Sequence, residues 1–119
     1  MKPLARTAAL LAVLFPAAAL AHAFLDRAVP AVGSTVHGPP PEVRLRFTQE
    51  LEPAFSTVRV VDRDGRQVDR MDKQLERSDA TLLKVSLPRL APGIYRVVWR
   101  VLSVDTHVTE GDFTFEVAP

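Results

Sequence analysis

Histidine is the scarcest residue type in this chain that could bind a metal ion. Only His22, His37 and His107 occur among the 119 residues, and there is no cysteine. Without thiols the chain cannot form a cysteine-ligated zinc site, an iron–sulfur cluster or a cysteine nucleophile. A metal site would therefore have to use imidazoles, carboxylates, methionine or main-chain groups.

His22 follows a segment with the pattern of a secretory signal peptide. Two basic residues come first, residues 8–20 form an apolar run, and a small-x-small tripeptide ends at Ala21. The run is short for a membrane-spanning helix, which needs roughly 20 residues, and a retained anchor is the less favoured alternative. We predict that residues 1–21 are cleaved and that residues 22–119 form one domain.

Cleavage after Ala21 would turn His22 into a two-donor ligand. Its free α-amine and its imidazole Nδ1 can close one chelate ring on a single ion. A metal ion can displace the proton of an α-amine near neutral pH, because the ordinary pKa of that group is about 7.7–8. Within an uncleaved chain the same nitrogen is an amide, so removal of the signal would create the ligand.

Asp105 and His107 are the second candidate pair, in a predicted loop between two strong strand patterns. Residues i and i+2 of an extended segment point to the same side, so both side chains could approach one ion. If the first strand begins at the same end of the fold, His22 completes a set of one amine, two imidazoles and one carboxylate. Four nitrogen and oxygen donors suit tetragonal Cu(II), and we expect one Cu(II) ion per chain.

Each motif also has an ordinary explanation. Any residue can follow a cleavage site, and Asp and Thr are common turn formers. From the residues alone, both a metal site and a metal-free module remain open.

Alternation of apolar and polar residues predicts an all-β fold. Turn-forming residues, such as those of Asp62-Arg63-Asp64-Gly65, separate the strand patterns, whereas residues 72–80 are polar and are interpreted as a loop or one helical turn. About seven strands in a hundred residues are typical of a Greek-key β-sandwich. The predicted strands are residues 24–29, 42–48, 57–60, 67–71 (the weakest), 83–87, 94–102 and 112–117.

Four large aromatic residues, Phe47, Trp99, Phe113 and Phe115, are predicted to lie in the core, because large aromatics usually contribute to the buried apolar surface.

His37 has no other candidate ligand nearby in the sequence and is expected in a solvated loop. The acidic residues near the 62–65 turn lack the ligand spacing of a calcium loop and are interpreted as a solvated hairpin. These acidic residues are Asp62, Asp64, Asp69 and Asp72.

The charge balance disfavours two classes of partner. The full chain carries a formal charge of +1, and loss of its first 21 residues removes two of 15 basic and none of 14 acidic residues, leaving −1. Such a chain lacks the basic patch of nucleic-acid binders and the excess of basic residues that attracts an anionic membrane. We expect no nucleic-acid partner and no membrane insertion after cleavage.

Several motifs agree in order and spacing with one known family. They are His22-Ala23-Phe24-Leu25, Pro30-Ala31-Val32-Gly33-Ser34, Val43-Arg44-Leu45-Arg46-Phe47, Pro92-Gly93-Ile94-Tyr95, Trp99-Arg100-Val101, Ser103-Val104-Asp105-Thr106-His107 and Gly111-Asp112-Phe113-Thr114-Phe115. Over residues 22–119 the sequence resembles the CopC family of periplasmic copper-binding, copper-resistance proteins.

The resemblance implies an immunoglobulin-like β-sandwich in the periplasm, with a Cu(II) site formed by His22, Asp105 and His107. It implies a carrier or buffer of copper rather than an enzyme, and it suggests an inner-membrane copper transporter as the partner that receives the ion. We expect a monomer, although the sequence itself gives no sign of the oligomeric state.

At three positions the sequence departs from the CopC family pattern, and these departures limit which family properties can be expected of this chain. Gln49, followed by Glu50, stands where many relatives have a Glu, so a carboxylate ligand from that strand is in doubt and only a weak axial oxygen remains open. The methionine-rich Cu(I) loop of some members is missing, since Met71 is the only methionine after the predicted cleavage site. Val108 replaces a frequent Pro after the motif histidine.

Two other functions compete with copper carriage. Copper monooxygenases that cut polysaccharides also use an amino-terminal histidine, but they pair it with a second histidine and have larger domains. A metal-free interaction module of the same fold is the other alternative, because a fold does not by itself decide function.

Overall fold

The computed structural model describes residues 22–119, so the predicted signal peptide lies outside the described residues. Across this range the chain forms eight strands and one short 3-10 helix at Pro53–Phe55, with no helix long and apolar enough to cross a bilayer. The strands are β1 Leu25–Val29, β2 Thr35–Val36, β3 Glu42–Phe47, β4 Thr57–Val61, β5 Gln74–Glu76, β6 Asp79–Ser86, β7 Gly93–Leu102 and β8 Val108–Val117.

The strands form two four-stranded sheets. One has the order β1-β3-β6-β5 and the other β2-β8-β7-β4, so strands that are distant in sequence lie side by side. All neighbouring strands are antiparallel except β2 and β8, which are parallel. The predicted all-β sandwich is confirmed, with one strand more than the seven expected.

The two sheets bury their apolar faces against each other. In β3, Val43, Leu45 and Phe47 are buried while Arg46 faces solvent, which is the alternation that the sequence predicted. Burying apolar area stabilises the fold by about 25 cal/mol per Å². The core also contains Ala23, Ala28, Leu51, Val58, Val60, Leu83, Val85, Leu87, Leu90, Tyr95, Val97, Val101, Phe113, Phe115 and Val117.

The weak strand predicted at residues 67–71 is wrong. Only Gln67 forms a bridge, to Val61, and the Asp69 carboxylate accepts the Val60 N–H at 2.7 Å, a position that a main-chain carbonyl would occupy in a ladder. The residues 72–80 interpreted as a loop or helical turn instead contain β5 and the start of β6. A three-residue edge strand carries too few apolar positions to show a period.

Trp99 packs at the margin of the core. It is only partly buried, and its ring lies 6.2 Å from the Phe47 ring and 6.0 Å from the Phe113 ring, measured between centroids. Gly111 faces it across β7 and β8, and a Cβ added there would lie 2.4 Å from Trp99 Cζ2. The Trp99 indole therefore occupies space that is free only because Gly111 has no side chain.

We expect Gly111→Ala to destabilise the domain by about 1–3 kcal/mol, because the indole would have to move against its aromatic neighbours. Gly38→Ala is the control, since a Cβ there meets no atom within 4 Å, and its effect should stay within about 0.5 kcal/mol. Urea unfolding followed by Trp99 fluorescence measures both variants. Equal stability of the two would contradict this packing.

Candidate metal centre

The Asp105-Thr106-His107 motif lies in a tight turn between β7 and β8. The Ser103 N–H donates to the His107 carbonyl at 3.0 Å, and the Thr106 N–H donates to the Ser103 carbonyl at 2.9 Å. Thr106 has a φ of 75°, in the left-handed region that few non-glycine residues adopt. The predicted loop between the two strands is confirmed, but it is a tight turn rather than an extended segment, and β8 begins at Val108 rather than at residue 112.

Ser103 organises this turn from within the protein. It is completely buried, and its Oγ donates a hydrogen bond to Asp105 Oδ1 and accepts the His107 N–H at 3.2 Å. The Ser103 hydroxyl is the main cause that lowers the pKa of the Asp105 carboxyl, and His107 lowers it further. Asp105 therefore stays ionised, as a metal ligand must.

The buried Nδ1 atom of the His107 ring faces Asp105. It lies 3.4 Å from Asp105 Oδ1, at the long end of the range for a direct contact, and has no hydrogen bond of good geometry. Buried polar atoms are usually hydrogen-bonded, so such an atom calls for an explanation. Two donors bound to one transition-metal ion, each at about 2.0–2.2 Å, lie about 3 Å apart, and this spacing therefore fits a shared ion.

His22 reaches the same end of the sandwich from the start of the described chain. Its ring centroid lies 4.5 Å from that of His107, with 50° between the ring planes. The Phe24 ring lies 6.0 Å from the His22 ring. His22 precedes β1 of one sheet and His107 precedes β8 of the other sheet. Because the two sheets pack face to face, the two histidines meet at one end of the sandwich.

The three predicted ligands are brought together only in pairs. His22 meets His107 and Asp105 meets His107, but no group of three His, Asp or Glu side chains within residues 22–119 is arranged to hold a metal ion. The predicted set also includes the His22 α-amine, which is not a side chain and remains a peptide nitrogen while Ala21 is attached.

Residues 22–24 are held by two threonines that the sequence did not single out. Thr48 Oγ1 accepts the Phe24 N–H at 3.0 Å and donates to the His22 carbonyl at 3.2 Å. Thr109 Oγ1 donates to the Ala23 carbonyl at 2.6 Å. Threonine is common in strands, so its presence gave no signal of this role.

His37 and Asp69 were not predicted as ligands, whereas Glu50, left open as a weak axial ligand, lies beside the turn that carries Asp105. His37 is exposed in the segment after β2, as expected. Asp69 was expected to be solvated but is buried, and it accepts hydrogen bonds from the Gln67 side chain and the Met71 N–H as well as from β4. Glu50 is exposed, and its carbonyl accepts the Val104 N–H at 3.0 Å.

The fold and this histidine pair define the class of protein, a small β-sandwich with a candidate metal site at one end. The chain belongs to the CopC family, because the model of the CopC domain matches residues 25–118. This membership confirms the resemblance found in the sequence and places the chain in a family of copper resistance and transport proteins.

Individual relatives agree with this assignment. The chain is 33% identical to protein YobA of Escherichia coli K12 over 98 residues, which cover 82% of this chain and 79% of YobA. It is 32% identical to copper resistance protein C of Escherichia coli over 106 residues, with 83% of each chain covered. The crystal structure of CopC from Methylosinus trichosporium OB3b matches with a TM-score of 0.77 at 36% identity, covering 82% of this chain and 95% of that one.

Proposed function

We propose that the processed protein binds one Cu(II) ion through the α-amine and imidazole of His22, the carboxylate of Asp105 and the imidazole of His107. The observation that carries this proposal is the approach of the His22 and His107 rings, 4.5 Å apart, with the Asp105 carboxylate 3.4 Å from the His107 ring. A nitrogen and oxygen donor set of this kind suits Cu(II), which also heads the affinity series of divalent ions.

The available donors favour Cu(II) over Cu(I). Soft Cu(I) prefers thiolate or thioether ligands. Among residues 22–119 the single methionine is Met71, which is 72% exposed and lies in a groove that none of the three proposed ligands lines. We therefore propose a single copper site within residues 22–119, built on nitrogen and oxygen ligands rather than on methionine.

The role that fits this site is a periplasmic carrier or buffer of copper that acts as a monomer. Half-exposed ligands at one end of a sandwich allow the ion to enter and leave, and the ion is cargo rather than part of a reaction. The carboxylate would fill a coordination position that oxygen chemistry needs, so we propose that the protein is not an enzyme. An inner-membrane copper transporter is the proposed recipient.

The direct test is to isolate the exported protein, determine its first residue by mass spectrometry and titrate it with Cu(II). We expect a chain beginning at His22 that binds one equivalent of copper, measured by competition with a chelator of known affinity. A different first residue would remove the amine ligand from the proposed set. Failure of a chain beginning at His22 to bind would refute the function itself.

We expect the affinity for Cu(II) to fall by at least about a hundredfold between pH 7 and pH 5, because protons compete for the nitrogen ligands. The pKa of Asp105 is lowered, chiefly by Ser103, so this carboxylate stays ionised at a lower pH than an ordinary aspartate and does not cause the loss. Competition titrations at a series of pH values measure the change. An affinity that is the same at pH 5 as at pH 7 would contradict a site built on three nitrogens.

A further inference from the structure

Residues 22–24 are held at the end of the sandwich by hydrogen bonds from both sheets. Thr48 directly follows β3 of the first sheet and bonds the main chain on both sides of Ala23. Thr109 belongs to β8 of the second sheet and bonds the Ala23 carbonyl itself. We call Thr48, Thr109 and the main chain of residues 22–24 the amino-terminal clasp.

Ala23 lies at the centre of the clasp. It has no exposed surface and belongs to the core cluster, so its main chain is fixed by packing as well as by hydrogen bonds. A buried carbonyl needs a donor, and at this position the Thr109 hydroxyl supplies it. Ala23, the residue next to the predicted ligand His22, is therefore firmly held in place. The first residues of a domain are usually poorly ordered, so this is unusual for the predicted start of the processed chain.

The clasp also links the two histidines by a short path. Thr109 is two residues beyond His107 on the same strand, and its hydroxyl bonds the residue that follows His22. A single hydrogen bond from the Thr109 side chain thus connects β8, two residues beyond His107, to the main chain of the residue after His22. The ring centroids of His22 and His107 lie 4.5 Å apart.

We propose that Thr109, assisted by Thr48, is a positioning residue for copper binding. The inference rests on the proposed function, since it concerns the same site. Neither hydroxyl needs to touch the ion, because the clasp acts by holding His22 opposite His107 before the ion arrives. A ligand set that is already in place does not have to be ordered on binding, and this raises affinity.

The test compares Thr109→Val, which keeps the side-chain shape and removes the hydroxyl, with Thr109→Ser, which restores it. We expect Cu(II) affinity to fall about tenfold in Thr109→Val, the effect of losing roughly one hydrogen bond, and to return in Thr109→Ser. Thr114→Val, further along β8 and away from the site, is the matched control and should bind like the unmodified protein. Thermal unfolding of each metal-free variant shows that the fold is retained.

Thr48→Val provides a second measurement should Thr109→Val fail to fold, and it should also weaken copper binding. Equal affinity of the folded valine variants and the unmodified protein would overturn the clasp while leaving the copper site standing. A tenfold loss in Thr114→Val as well would also overturn it, because the effect would then be general. Absence of copper binding in the unmodified chain beginning at His22 would refute the proposed function instead.

Discussion

A single glycine added before His22 is expected to lower Cu(II) affinity by at least about a hundredfold and to leave the fold intact. The extension converts the His22 amine into an amide, so the chelate formed by the amine and its own imidazole is lost. Disturbing a group that merely orients a ligand already reduces metal affinity 10–100-fold, and removal of a ligand should cost at least as much. Competition titration against the chain beginning at His22 measures the difference.

The control for this variant is the thermal stability of its metal-free form, compared with that of the metal-free chain beginning at His22. Residues 23 and 24 keep their hydrogen bonds to Thr48 and Thr109 in the extended chain, so the thermal midpoint should be nearly unchanged. Unchanged copper affinity in the extended protein would show that the terminal amine is not a ligand.

His107→Ala is expected to reduce Cu(II) affinity by a similar factor, at least about a hundredfold, because it removes the ring that faces both His22 and Asp105. The turn should persist, since its hydrogen bonds run from Ser103 to the main chain of residue 107 and do not need the imidazole. The affinity of the variant is measured by the same competition titration.

His37→Ala is the matched control, because His37 is exposed in another part of the described chain and lines a surface pocket with residues near Pro92 and Pro119. Its affinity should equal that of the unmodified protein. If the two alanine variants lost copper to the same extent, the assignment of His107 would be wrong.

The fold was predictable wherever a strand is long and has one buried face. β3, β7 and the later part of β8 alternate in the sequence as they do in the structure. β2 and β5 were missed, because two or three residues at a sheet edge cannot display a period. The strand predicted at residues 67–71 is false because, although the Val68 N–H donates to the Val60 carbonyl, the Asp69 side chain then takes the place of a main-chain acceptor and interrupts the ladder.

The candidate site was predictable in its residues but not in its geometry. Residue type singled out His22, Asp105 and His107 as candidates, and the family resemblance favoured them as a set. The structure brings them together pairwise, and their role as ligands stays a prediction. The conformation of the loop that joins β7 and β8 could not be predicted from the sequence, because it depends on a left-handed Thr106 and on the buried Ser103. Serine and threonine occur in so many loops and strands that no pattern marks those that hold a site.

Electron paramagnetic resonance of the copper-loaded protein beginning at His22 tests the proposed coordination most directly. Nitrogen hyperfine structure counts the nitrogen ligands of Cu(II). The proposed set predicts three nitrogens, one from the amine and one from each ring of His22 and His107. A spectrum with two or fewer nitrogens would contradict the site.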